Sequence, residues 1–398
     1  MIRLQHELRV ALTRDEKARA NFTSALRRHV MDDLATRLRS EYESSVEPEV
    51  RRRTGRPPGS VAEVHSAIRS NELFRFYSCL RTTSQDMLYQ TVRPAIERSR
   101  LALGQTAKRL ADSAKLGSLT LQHDFDVPRS VSAVDIHLMP GSYHTEYGEG
   151  DLTMGAVYEN RLAISTFGLF GPNLDDIGQS ITHYIRQRFP HFRPRNVLDL
   201  GCTVGHNTGA WKDTWPEAEV NGIDVSAPCL RYAWARAQSQ GRAIHFRQMD
   251  ARNLKYPDGS FDVVFSSMFL HEVPRRDIHK VLGEAYRVLR RGGLMLHMEL
   301  PPDSQLSTYD SFYLDWDGFY NNEPYYRAFR ALDPVTLVRE AGFAADDYLQ
   351  CVVPSRAALG ERRWLEAVCA ADAVDSDKTG RLTSGVRWFC FGAWKPRD

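Results

Sequence analysis

With 398 residues, 42% of them hydrophobic, the chain has material for a full core and for two or three domains. Its 52 Lys and Arg against 50 Asp and Glu leave a formal charge of +2, so composition makes no general electrostatic case for nucleic acid or an anionic membrane. No apolar run approaches the roughly 20 residues of a membrane span, and Met1 to Val10 lacks the apolar segment of a signal peptide, so a cytoplasmic protein is expected. Cys79, Cys202, Cys229, Cys351, Cys369 and Cys390 form no C-x-x-C pair, which predicts reduced, mostly buried thiols instead of a zinc site or a disulfide framework. The excess of arginine over lysine suggests a GC-rich bacterial genome.

Residues 1 to about 45 have helical composition, and Glu47 to Ser60, containing RRRTGRPPGS, reads as an exposed loop. Arg51, Arg52, Arg53 and Arg56 there are candidate phosphate contacts, but no aromatic residues are interleaved and no basic face continues, which favours a solvated turn. Ser60 to Glu63 fits a capping box, and 61–118 reads as two or three helices broken near Pro94 and Gly117. The helical extension is assigned to residues 1–140. The segment 141–175 is glycine-rich and carries Tyr143, His144, Glu146, Tyr147, Tyr158 and Glu159, which predicts either a pliable covering loop or a linker whose tyrosines pack between domains.

From Asn196 the pattern changes to that of a parallel α/β sheet. Asn196 to Leu200 is an apolar strand, and Gly201 and Gly205 let the chain turn tightly and approach a ligand before a helix opens. The glycines fall at 201, 205 and 209, not in the G-x-G-x-x-G spacing of a dinucleotide turn, so the NAD reading weakens. Val220 to Val225 is a second strand ending in Asp224, whose carboxylate suits two ribose hydroxyls. Ile244 to Met249 is a third, followed by Asp250 and Ala251, where an acidic side chain can accept a hydrogen bond from an adenine amino group. Phe261 to Ser267 is a fourth. A helix with Ile278, Val281, Leu282, Ala285, Val288 and Leu289 on one face leads through RRGG into a fifth strand, Leu294 to Leu300. Pro334 to Gly342 then reads as a helix, Phe343 to Val353 as a strand, and Gly385 to Lys395 as the last strand.

In this order and spacing, VLDLGCTVG, GIDVS, MDA, PDGSFDVVFSS and the LRRGG turn before LMLHMEL resemble a class I S-adenosylmethionine-dependent methyltransferase of the small-molecule type. The resemblance covers about 176–398 and implies a Rossmann-like α/β fold, a seven-stranded, mostly parallel sheet closed by an antiparallel hairpin of strands six and seven. It implies S-adenosyl-L-methionine as cofactor, held by Asp199, Gly201, Thr203, Gly205, Asn207, Asp224, Val225, Asp250, Ala251 and Ser266, with Tyr158 or Tyr147 from the covering segment facing the sulfonium. Thr203 departs from the family's usual G-x-G-x-G. If that position needs a positive φ, a β-branched residue is strained by roughly 1–2 kcal/mol. Either the turn takes an ordinary geometry or the hydroxyl reaches the methionine end of the cofactor. The extension is expected to roof the substrate pocket, to form a homodimer interface, or both.

Methyl transfer to oxygen or nitrogen calls for alignment, exclusion of water and removal of a proton. His271, just after the fourth strand, is the candidate base, with an unperturbed pKa of about 6.5; capping the next helix or contacting the cofactor is its alternative role. Glu272 is expected to be solvated. In the fifth strand His297 and Glu299 share a face, and Glu299, nearer the carboxyl end, is the expected substrate contact, a supporting role being the alternative. The insertion at 303–332 is long and aromatic. Tyr309, Phe312, Tyr313 and Trp316 suit one face of a helix, either a lid over a planar acceptor or a stripe packing on the N-terminal helices. Tyr143, His144, Tyr147, Glu299, Tyr309, Tyr313 and Trp316 are the substrate candidates. No metal set emerges unless His144 and Glu146 fold over to meet His271.

The expectation is methyl transfer to a small molecule in specialised biosynthesis, without nucleic acid or membrane as partner. One alternative uses the same cofactor without methylating, cyclising its aminocarboxypropyl arm with release of methylthioadenosine. The other is a non-catalytic cofactor-binding module.

Overall fold

The computed structural model describes residues 5–370 and 387–397. Its centre is a sheet of β1 (Ser118–Thr120), β2 (Asn196–Leu200), β3 (Glu219–Asp224), β4 (Ile244–Gln248), β5 (Phe261–Ser267), β6 (Leu289–Glu299), β7 (Tyr348–Pro354) and β8 (Arg387–Trp394). They lie in the order β1-β4-β3-β2-β5-β6-β8-β7. Pairing is parallel from β1 to β6, while β8 runs antiparallel between β6 and β7. Strand order reverses beside β2, where Val197 faces Val220 on one side and Val263 on the other. A crevice opens there at the carboxyl ends of the strands, the place where such sheets bind ligands.

The sheet has eight strands where seven were expected, because the chain leaving the N-terminal extension lays three residues along the edge of β4. A Cβ at Gly117 (φ 60°) would collide with the Ile244 carbonyl, so the glycine permits the approach, and Ser118 Oγ lies 2.9 Å from His245 Nδ1. Three residues are too few to announce a strand by alternation. The fifth expected strand, β6, begins at Leu289 instead of Leu294, with a register irregularity opposite Phe261 to Val263 that absorbs the RRGG segment. The sixth starts at Tyr348, after the helix Pro334–Glu340 and a short turn. Of the last expected strand, Gly385 and Val386 lie outside the described residues.

Apolar clusters cover both faces of the sheet, one built around Trp211, Phe246, Phe265 and Trp364, the other around Leu198, Val264, Leu282 and Phe389. Such near-continuous apolar strands follow from helices on both sides. The N-terminal residues add two further clusters. One joins the helix Glu72–Asp112 to the helices Thr153–Ser165 and Ala227–Ser239, and the other joins the N-terminal helices to the helix Thr308–Tyr320.

Several local expectations change. Glu47–Thr54 is a helix: Pro48 suits its first turn, Arg51 and Arg52 pair with Glu47 and Glu49, and Gly55 at φ 78° ends it. The helix Glu72–Asp112 runs unbroken through Pro94, because Leu88, Val92, Ala95 and Ile96 are buried on both sides of it and tertiary packing outweighs the lost hydrogen bond. Within 141–175 the chain forms the buried helix Thr153–Ser165, not a loop throughout. The aromatic insertion folds as Thr308–Tyr320 and Tyr326–Arg330, the first capped by Ser307. Among the described residues, no helix is long and apolar enough to cross a membrane.

Candidate functional site

A cavity of about 650 Å³ occupies the crevice between the strand ends and the N-terminal helices. Its floor is the glycine turn after β2. Gly201 (φ 66°) lets the backbone pass under Phe269, whose ring a Cβ would strike, and Gly205 (φ 73°) precedes the helix His206–Thr214. Thr203 has φ 48°, so the strained alternative is the one adopted. Its N–H donates to Asp224 Oδ2 at 3.0 Å and its hydroxyl turns to the Gly201 carbonyl at 3.4 Å.

Asp224 also accepts from the Ser226 N–H at 2.8 Å, and both of its oxygens keep lone pairs for a ligand. Burial raises its pKa to about 6, against the pull of these two N–H groups. Val225, Asp250 and Ala251 line the same end of the cavity. Asp250 is clamped by Arg252 at 2.6 Å, and Arg252 also reaches Asp277 at 3.0 Å. Tyr158 lines the cavity between Tyr143 and His206, with ring centroids 5.9 and 6.2 Å away, and Asn207 donates to Ser267 Oγ at 3.2 Å.

Not every expected ligand contact reaches the cavity wall. Asp199 is buried behind the turn, where it accepts from Thr208 Oγ1 at 2.5 Å; burial raises its pKa to about 7. Gly205 shapes the turn from below. Ser266 faces away and lies 2.7 Å from His297 Nδ1, so it is Ser267 that meets the cavity. His297 is fully buried, and burial depresses its pKa to about 3. Strand alternation decides between the two serines.

At the other end His271 and Glu299 form a buried pair, with Nδ1 and Oε2 2.5 Å apart. The other Glu299 oxygen accepts the N–H groups of Phe269 and Leu270 at 2.9 and 2.6 Å. Glu299, for which substrate contact and a supporting role were both open, lines the cavity and fixes the imidazole and the loop that carries it. Burial disfavours the imidazolium, yet Glu299, with Glu323 at 3.8 Å from Nε2 and Glu272 nearby, raises His271 to about 9. The expectation of an unperturbed base near pH 6.5 is thereby corrected. Glu272, expected in solvent, accepts from Tyr143 Oη at 2.8 Å and lies 3.2 Å from His137 Nε2. His137 in turn lies 3.4 Å from Glu323, so acids and histidines alternate along this wall.

The aromatic stripe serves two surfaces. Tyr309, Phe312 and Trp316 pack with Phe74 and Tyr77 of the extension, while Tyr309 and Tyr313 also line the cavity, and Tyr313 Oη lies 2.7 Å from Tyr77 Oη. Trp316 faces Phe74 and Tyr77, away from the cavity wall. Tyr147 is exposed under Arg100, and His144 also lies outside the lining. Glu146 pairs with Arg231, so the metal arrangement imagined with His271 does not form.

Sequence reasoning missed Arg27, Arg81, Arg161 and His137, and noted Glu323 only as one of the acids of the aromatic insertion. All of them line the cavity, delivered from the extension, the covering segment or the insertion by long-range folding that no local spacing announces. Glu159 was noted only as part of its segment. It is a fully buried hub, bonded to His206 at 2.9 Å, Arg236 at 3.0 Å and Tyr232, with His6 Nε2 2.8 Å away.

Residues 197–293 match the family model described as a methyltransferase domain. The demethylmenaquinone methyltransferase of Thermus thermophilus is 38% identical over 109 residues, which is 27% of this chain and 49% of that protein. The malonyl-[acyl-carrier protein] O-methyltransferase of Xylella fastidiosa is 33% identical over 119 residues, 30% of this chain and 39% of that protein. The chain thus spans half or less of the length of these relatives. Phosphoethanolamine N-methyltransferase 2 of Haemonchus contortus, solved with S-adenosyl-L-methionine, is 21% identical with a TM-score of 0.39, over 58% of this chain and 57% of that one. Over residues 197–293, this chain is thus similar to the methyltransferase domain of class I S-adenosylmethionine-dependent methyltransferases.

Proposed function

We propose that the chain transfers a methyl group from S-adenosylmethionine to a small-molecule acceptor enclosed beneath the N-terminal helices. The observation that carries this reading is that one cavity holds both the Gly201 to Asp224 end, suited to a nucleoside, and the His271–Glu299 pair. The residues fit the cofactor. The close backbone approach at Gly201, the buried Asp224 carboxylate with free lone pairs and the adjoining Asp250 and Ala251 suit an adenosine, while Tyr158, whose ring already meets the Arg161 guanidinium, lines the same cavity. When bound, S-adenosylmethionine supplies an electrophilic methyl with a good leaving group.

The protein's own task is then alignment, dehydration and handling of one proton. Tyr309 and Tyr313 close the cavity toward the extension and exclude water. His271, once neutral, takes the acceptor's proton at Nε2 while Glu299 holds Nδ1 and stabilises the imidazolium that forms. Tyr326 Oη is buried beside His271 without a partner among the described residues, placed to donate to an acceptor oxygen. In this reading residues 1–140 are roof, 141–175 cover the cofactor and 176–398 are the catalytic core, in a cytoplasmic enzyme of bacterial specialised biosynthesis. Phe22, Phe76 and Leu101 are exposed on the extension, the surface where a second copy would dock.

Calorimetric titration of S-adenosylhomocysteine tests the reading. Micromolar binding that weakens in Asp224→Ala supports it, and the absence of binding to folded, cofactor-free protein overturns it. Release of methylthioadenosine during turnover would identify the cyclising alternative.

A further inference from the structure

The roof brings to the cavity a charge that methyl transfer does not require. Arg27, from the helix Arg14–Arg28, and Arg161, from the helix Thr153–Ser165, both line the cavity while only 5% and 7% exposed. Arg27 Nη1 donates to Gln85 Oε1 at 2.7 Å, Nη2 meets only the Met31 sulfur at 3.8 Å, and Nε has no partner. Arg161 Nε also lacks a partner, and its guanidinium lies 5.3 Å from the centre of the Tyr158 ring. Arg81 beside them is neutralised by Asp317 at 2.7 Å. Among the described residues, no carboxylate forms an ion pair with Arg27 or Arg161.

Burying a guanidinium without a carboxylate partner is costly, so a fold rarely keeps two of them at one wall without an anion to receive. Burial, followed by repulsion from Arg81 and Arg161 and partly offset by Asp317, pushes Arg27 down to about 9, whereas against burial Tyr89, Tyr143, Tyr158 and Glu272 hold Arg161 above its ordinary value. A guanidinium fork matches the planar oxygens of a carboxylate, and Tyr309, Tyr313 and Leu162 nearby suit an aromatic or apolar body. We propose that the acceptor is a small organic molecule bearing a carboxylate, which Arg27 and Arg161 hold while the rest of it extends toward His271. This rests on the methyltransferase reading and names the acceptor's class.

Benzoate is the probe, with benzamide as its uncharged isostere, followed by ligand-observed NMR on protein saturated with S-adenosylhomocysteine. Benzoate is expected to bind at least about tenfold tighter than benzamide, and Arg27→Gln and Arg161→Gln each to remove the preference, with partial retention in Arg27→Lys. Equal binding of the two probes by the wild type, no benzoate binding at all, or an unchanged preference in both variants overturns the proposal; the wild-type comparison decides even if the variants do not fold. The cofactor's own carboxylate is the other source of an anion. If Arg27→Gln and Arg161→Gln weaken S-adenosylhomocysteine but not methylthioadenosine, the arginines serve the cofactor and the acceptor assignment falls. Failure of S-adenosylhomocysteine to bind the wild type counts against the methyltransferase reading alone, because the benzoate and benzamide comparison can still be read without it.

Discussion

Glu299, at the end of β6, holds His271 Nδ1 at 2.5 Å and at the same time ties down the Phe269 and Leu270 N–H groups that precede it. One carboxylate thus sets both the charge and the position of the imidazole. Because Nδ1 is occupied, only Nε2 is left to face an acceptor.

If neutral His271 is the base, kcat should rise with pH toward about 9, where the imidazolium loses its proton. Glu299→Gln should move that midpoint toward about 6.5, and His271→Gln should lower kcat by roughly 10²–10⁴-fold. A pH profile unchanged in Glu299→Gln would remove His271 from proton transfer.

The same pair makes stability depend on pH. Its folded pKa lies above the unfolded value of about 6.5, so its contribution is complete below that pH and is lost as pH rises through about 9. Urea unfolding between pH 6 and pH 10 should show a decline that His271→Gln lacks.

Thr203 holds a positive φ that glycine adopts freely. Thr203→Gly should therefore stabilise the protein by roughly 1 kcal/mol, read as a higher melting temperature, and leave the Asp224 contact in place, since that contact uses the backbone N–H.

Asp224→Ala should weaken S-adenosylhomocysteine by about 10–100-fold through loss of charged hydrogen bonds. Methylthioadenosine, which keeps the ribose, should weaken equally.

Glu159 stands among His6, His206, Arg236 and Tyr232. Burial opposes its charge, but His6, His206 and Arg236 hold its pKa well below the ordinary carboxylate value. Glu159→Ala would leave buried Arg236 without its carboxylate and should cost about 3–5 kcal/mol. Hydrogen exchange should then rise first near His6, which lies 2.8 Å from this carboxylate.

By itself the sequence determined the core. Parallel strands buried on both faces are written as continuous apolar runs, and the turn after Leu200 is written in Gly201 and Gly205, so strands, helices and the Asp224 end of the site follow from local pattern. Tertiary structure decided what local pattern cannot carry. It set which face Ser266 and Ser267 present and that Glu299 bonds His271. It also fixed which partners Tyr309 and Trp316 pack against, and that Arg27, Arg81 and Arg161 share one wall. Those outcomes depend on groups distant in sequence meeting in a low-dielectric interior, where each buried charge is fixed by whichever opposite charge or hydrogen-bonding group the fold brings beside it.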